Sequence, residues 1–216
     1  EESLKLLKKF KFKYIKIASS DITDLPLIKK FREYKKPFIV STGMSSSREI
    51  SKALKLLNKN KVILLHCVSL YPCDLKLINI QRMLKIKNKF KKSTGFSDHT
   101  IGVEASLLAI AMGAKYIEKH FTFDKSFDGP DHKLSADFND LKTICNFSKN
   151  VELMMGNGVI PPTKKEQKIK KFARKSIYIK KLVKKNEVFT INNLEIRRPQ
   201  GQLEPNKIDK VLGKRS

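Results

Sequence analysis

Two textures alternate along the chain. Short runs that read as strands stand at Tyr14–Ser19 (YIKIAS), Phe38–Thr42 (FIVST), Val62–Val68 (VILLHCV), Ser93–His99 (STGFSDH) and Tyr116–Phe121 (YIEKHF). Between them, apolar residues recur three and four positions apart, which predicts helices with one buried face. Leu27, Ile28 and Phe31 make one such set, and Ile50, Ala53, Leu54 and Leu57 another. Leu77–Phe90, Glu104–Met112 and Leu141–Met155 continue the series. Asp24 stands where it can cap the first helix. Ser46 and Glu49 have the spacing of a capping box, and Gly113 stops the helix before it.

The strand centres recur about every 22–31 residues, the length of a βα unit. Runs that are apolar almost throughout suit strands buried on both faces. Five such units predict an α/β fold with a parallel sheet, either doubly wound or part of a (β/α)₈ barrel. After Met155 the texture changes. Residues 156–165 read as a linker, with Gly156-Asn-Gly-Val-Ile-Pro-Pro-Thr163 at its heart. Ser176–Ile179, Val188–Thr190 and Leu194–Arg197 then read as short β pieces of a second, mostly β domain over 166–216.

Composition changes this picture only at its edges. Of 216 residues, 46 are Lys or Arg and 21 Asp or Glu, giving a formal charge of +25. Such a balance usually points to a nucleic-acid partner. Here 39 of the basic residues are Lys and seven Arg, whereas bidentate recognition of phosphate or guanine favours Arg. The Lys are spread over the solvent positions of several helices, so the charge reads as a solvated surface with no nucleic-acid partner. No window holds 18 consecutive apolar residues, which argues against a transmembrane helix. Three Cys argue for a reducing, cytoplasmic setting over a disulfide scaffold. The first residues, Glu-Glu-Ser, suggest an internal start.

The polar chemistry collects at strand ends. His66 stands at the end of the third strand, Ser97-Asp98-His99 of the fourth, and Glu118-Lys119-His120 of the fifth. Alternation puts Ser97 with His99, and Glu118 with His120, on one face. In a barrel, the C-terminal rim is the active-site face. Two imidazoles on neighbouring strands can meet at a divalent cation with open positions, or can each be a satisfied core residue. His66, Cys67 and Cys73 lack a further ligand pair, and a zinc site is not expected there. Ser41-Thr42-Gly43-Met44 leads from a strand to a capped helix. It fits an anion-binding turn, but without the fuller P-loop spacing an ordinary βα connection is the stronger reading. Lys16 could add a cation to it. Gly129-Pro130-Asp131-His132 reads as a rim loop.

In this order, KIASSDITDLPLIK, PFIVSTGMSSSREI, LLHCVSLYP, GFSDHTIG, GAKYIEKHFTFD and GPDHKLS closely resemble the sialic acid synthase family, whose members make neuraminate, legionaminate and pseudaminate. FARKSIYIKK, EIRRPQGQLEP and VLGKRS resemble that family's C-terminal antifreeze-like (SAF) domain. The resemblance implies the last five βα units of a (β/α)₈ TIM barrel over 1–155, followed by an SAF domain that is incomplete at its end. About three preceding strands would be absent, and such a piece alone would be inactive. In place of the family's Gly-Glu stand Ser20-Asp21, and in place of its RPG stand Arg198-Pro199-Gln200.

The implied reaction condenses phosphoenolpyruvate with an N-acetylated hexose and water, giving a nine-carbon α-keto sugar acid and phosphate. By the resemblance His99 and His120 hold a divalent metal, manganese first and magnesium or cobalt as alternatives. Lys16, Ser19, Ser41 and Ser97 bind phosphoenolpyruvate; Asp21 and Ser69 join the substrate site. Tyr71 contacts the bound substrates as a catalytic residue beside the two His. Asp131 binds sugar hydroxyls, and Phe172 and Arg198 reach the partner's site in a domain-swapped homodimer. GPDHKLS looks closer to the neuraminate and legionaminate branches. The competing classes are another phosphoenolpyruvate–aldose condensing enzyme, a basic anion- or nucleic-acid-binding protein, and a carbohydrate-binding module on an inactive half barrel.

Overall fold

Five parallel strands, β1 (Ile15–Ile17), β2 (Phe38–Ser41), β3 (Val62–Cys67), β4 (Ser93–Asp98) and β5 (Ile117–Lys119), pair in the order of the chain. This computed structural model describes residues 10–216, so the first nine residues of the predicted 1–155 segment lie outside the described residues. A doubly wound sheet reverses its strand order at a switch point. Here the order never reverses. With right-handed crossovers, a steadily advancing order puts every connecting helix on one face, as in an arc of a barrel.

The connecting helices are α1 (Leu25–Phe31), α2 (Ser47–Leu56), α3 (Gln81–Phe90), α4 (Glu104–Ala111) and α5 (Phe138–Met155), the last following β5. Alternate strand residues build the layer beneath them. Ile15, Ile17, Phe38, Val40, Val62 and Leu64 pack with Ile28, Ile50, Ala53 and Leu57 in one buried cluster. Phe96 packs with Met83, Ala105 and Ala109 in a second. The intervening residues face the other way. Register aligns Ser41 with Leu65, and Cys67 with Ser97 and Glu118, across that inner face.

Local chemistry sets the helix boundaries. Asp24 Oδ1 accepts from the Leu27 N–H at 3.0 Å, and Ser46 and Glu49 form their capping box. Two predicted helices shift. Leu77–Phe90 is a 3₁₀ turn, Leu75–Leu77, then α3, because Asn79 adopts a left-handed φ of 45° between them. Helix α5 starts three residues early, where Asp137 and Asp140 form a capping box. Strand β5 is shorter than predicted; Phe121 makes only an isolated bridge to Ala136.

The chain divides into two compact units, Glu1–Gly156 and Asn157–Ser216. The second contains α6 (Lys164–Ala173), an antiparallel pair β6 (Ser176–Ile179) and β7 (Leu194–Arg197), and α7 (Ile208–Val211). The expectation of a mostly β tail is therefore corrected. Thr163 and Glu166 cap α6 reciprocally, a device worth about 1 kcal/mol, so the Lys run after Thr163 folds as a helix. Val188–Thr190 is no strand; Val188 makes a single bridge to Arg215. Among the described residues no helix is long and apolar enough to cross a membrane.

Candidate active site

At the strand ends, on the face away from the helices, lies a cavity of about 420 Å³. Lys16, Ser19, Ser41, Ser69, Tyr71, Ser97, His99 and His120 all line it, so eight of the predicted site residues come together. Ser20, Met44, Cys67 and Glu118 join them.

One side is rich in hydroxyls. The Lys16 ammonium on β1 donates to Ser41 Oγ at 2.8 Å. Ser19 Oγ accepts from the Gly43 N–H at 3.0 Å and lies 3.1 Å from Cys67 Sγ. The turn after β2 is thus no cradle of free N–H groups. Thr42 N–H donates to Leu65 O, Ser45 N–H to Thr42 O and Ser46 N–H to Glu49 Oε2. Side chains, with Lys16 as the cation, are what this wall offers an anion.

The other side is aromatic. The His99 and His120 ring centroids are 5.7 Å apart, and the Tyr71 ring lies 4.2 Å from the first and 5.8 Å, edge-on, from the second. His99 Nδ1–H donates to Val68 O at 2.8 Å, which fixes the tautomer and leaves the Nε2 lone pair facing Ser97 Oγ at 3.4 Å. Burial holds the His99 pKa below the ordinary value, against the opposing pull of that hydrogen bond. Burial also pushes the Tyr71 phenol up, helped by Cys67 and the carboxylates of Asp131 and Glu118.

Glu118 is the residue that sequence reasoning left out of the site. Ser97 Oγ donates to its Oε1 at 2.7 Å, and Lys16 Nζ stands 3.4 Å from its Oε2. The signal was present, since alternation already put Glu118 on the face of His120. Other predicted residues stand further out. Asp131 does not line the cavity, but its Oδ2 is 3.7 Å from His120 Nδ1. Asp21 closes a 3₁₀ turn, Ser19–Asp21, and accepts from Ser20 Oγ outside the lining. Phe172 in α6 and Arg198 after β7 are exposed residues of the second unit.

His66 points to the helix side of β3 while its neighbour Cys67 lines the cavity. His66 is fully buried and hydrogen-bonds Ile78 O at 2.7 Å, so the two cannot share a metal. Among the described residues no three His, Cys, Asp or Glu converge as ligands. Two imidazoles with ring centroids 5.7 Å apart nevertheless fit a divalent cation whose remaining ligands come from substrate or water.

A profile of the NeuB family matches residues 1–160. The chain is 41% identical over 218 residues to the N,N'-diacetyllegionaminic acid synthase of Campylobacter jejuni, covering 99% of this chain and 65% of that protein. It is 35% identical to a pseudaminic acid synthase of the same species, covering 100% of this chain and 64% of the relative. The chain thus spans just under two thirds of these relatives' lengths. A crystal structure of an N-acetylneuraminic acid (sialic acid) synthetase from Leptospira borgpetersenii, solved with citrate, superposes with a TM-score of 0.72. Identity there is 34%, with 78% of this chain and 60% of that chain covered.

Proposed function

The chain belongs to the NeuB family, and on that premise we propose that it is the catalytic part of a synthase joining phosphoenolpyruvate to an N-acetylated hexose. Water is the third reactant, and a nine-carbon α-keto sugar acid and phosphate are the products. C3 of the enol attacks the aldehyde carbon, water adds at C2, and phosphate departs. The observation that carries this reading is one cavity holding an ammonium, five serine hydroxyls and two imidazoles at the ends of parallel strands.

Lys16, Ser19, Ser41 and Ser97 take the phosphate and carboxylate of phosphoenolpyruvate, as a multiply charged ligand requires charge-assisted donors. To do so Lys16 exchanges Glu118 for the ligand, and Ser97 turns its proton from Glu118 to the ligand. His99 and His120 hold the divalent cation, manganese by resemblance; when bound, it supplies Lewis-acid stabilisation of the developing alkoxide. Tyr71 packs against both imidazoles and the substrates, while Ser69 completes the lining. Asp131, beside His120, accepts from sugar hydroxyls. Asp21 joins the site only if its turn moves inward.

The tail in this proposal is an SAF domain that starts with α6, so the linker expected over 156–165 ends at the Thr163 cap. Phe172 and Arg198 then serve the partner's cavity in a homodimer. A legionaminate-type sugar is the reading that the 41% relative, a legionaminic acid synthase, supports. The 216-residue chain alone is expected to be inactive, because β1 and β5 carry no outer neighbour among the described residues. The test is phosphate release with phosphoenolpyruvate, Mn²⁺ and a panel of N-acetylated hexoses, using a polypeptide of the relatives' length. Turnover with one sugar supports the proposal; phosphate release that ignores the sugar sinks it.

A further inference from the structure

The β4–β5 ladder stops one residue short of the two imidazoles. Its last register pair is Asp98 with Lys119, so His99 and His120 stand just beyond the last paired position. Side chains take over there. Lys119 Nζ is 3.1 Å from Asp98 Oδ2, with side chains 5% and 0% exposed. The same ammonium reaches past His99 to donate to Thr100 O at 2.7 Å. Asp98 Oδ1 accepts from Thr100 N–H at 2.9 Å and from Thr100 Oγ1 at 2.8 Å. Its Oδ2 also accepts from Ser106 Oγ at 2.6 Å, which ties in α4.

Thr100, the residue after His99, is therefore held by groups from both strands. His99 is clasped between that knot and its own ring bond to Val68 O. Four donors occupy the carboxylate of Asp98, which leaves it no lone pair for a cation. Asp98 and Lys119 are thus the neighbours of the imidazoles without being ligands themselves.

We propose that Asp98 and Lys119 are positioning residues that set the spacing of the His99 and His120 imidazoles across the end of the ladder. The inference rests on the reading of those imidazoles as a cation site. It departs from that reading by assigning the site's geometry to a buried ion pair on the opposite side of the sheet. The pair works as a unit. Removing one partner leaves the other charged and buried, and takes away that partner's hold on Thr100.

Cu²⁺ is a suitable probe, since it heads the affinity order for imidazole sites and its spectrum reports nitrogen ligands. The purified protein, Lys119→Arg, Lys119→Met and the neutral pair Asp98→Asn/Lys119→Met are titrated with Cu²⁺ alone, with His99→Ala as control. We expect two-nitrogen coupling in the parent and in Lys119→Arg, lost in His99→Ala. Both Met variants should bind roughly 10–100-fold more weakly, the usual effect of losing an outer-shell partner. The neutral pair guards against misfolding of Lys119→Met, and its cooperative melt is recorded in parallel. A folded neutral pair with parental Cu²⁺ affinity overturns the proposal. A parent with no two-nitrogen signal overturns the cation reading and, with it, the positioning role of Asp98 and Lys119.

Discussion

Lys16 Nζ stands 3.4 Å from Glu118 Oε2, although β1 and β5 are the first and last strands of the sheet. Four strand spacings in a flat sheet come to about 19 Å. The Tyr14 and Tyr116 rings, 6.3 Å apart, bridge the same two strands from below. The sheet must therefore curl strongly, with its inner face enclosing the cavity. This curl brings an ammonium from one edge and a carboxylate from the other into a single site.

Lys16→Met should raise the KM for phosphoenolpyruvate roughly 10-fold or more, in line with the loss of one charge-assisted hydrogen bond. The ammonium is partly exposed and its carboxylate partner sits at the cavity wall, so the thermal midpoint should change little. Initial-rate kinetics beside a melt separate the two effects. An unchanged KM would remove Lys16 from the anion site.

His99→Ala should lower metal-dependent turnover roughly 100-fold or more, since Lewis-acid stabilisation is worth several kcal/mol. It also leaves Val68 O without its partner, a loss of about 1–3 kcal/mol that still permits a cooperative melt. Chelation of the parent should give the same phenotype, reversed by Mn²⁺. Mn²⁺ activation that survives in the variant would exclude His99 as a ligand.

His66 gives the stability a pH dependence of definite sign. Burial holds its pKa below the ordinary 6.5. Between the folded and unfolded values the unfolded chain binds more protons, so stability rises with pH. The contribution is complete above the unfolded pKa and is lost as pH falls through and below about 6.5 toward the folded value. His66→Gln, which keeps a donor for Ile78 O, should flatten the melting profile on the acid side. Parental acid sensitivity in that variant would place the titrating group elsewhere.

What the sequence made legible was local. The imidazoles were visible because each follows a strand-like run, and alternation then put Ser97 and Glu118 beside them. Strand order was not visible, since nothing in VILLHCV says on which side the next strand will pair. The Asp98–Lys119 pair was hidden for the same reason: its two halves are adjacent only once the β4–β5 register is known. Helix α6 was signalled by Thr163 and Glu166, but the Lys run masked it. The Ser41–Met44 turn is the ordinary βα connection that its spacing favoured, and the reason lies in partners only the fold supplies: the Thr42 and Gly43 N–H groups are spent on Leu65 O and Ser19 Oγ.

Gly43 offers the closest check on how the hydroxyl wall is built. A Cβ at this position would meet Ser69 Oγ most closely and lie 2.8 Å from both Cys67 Sγ and Ser19 Oγ, closer than real side chains approach. Gly43→Ala must therefore push both Ser69 and Ser19 aside, Ser19 away from the Gly43 N–H, besides an overpacking penalty of about 1–3 kcal/mol. Gly113→Ala is the matched control. Its φ of +88° strains an alanine by about 1–2 kcal/mol, but a Cβ there meets nothing and the residue does not line the cavity. The two variants should lose similar stability, while phosphoenolpyruvate binding by calorimetry weakens only in Gly43→Ala. Equal binding in both would mean that Ser19 does not depend on Gly43 for its placement.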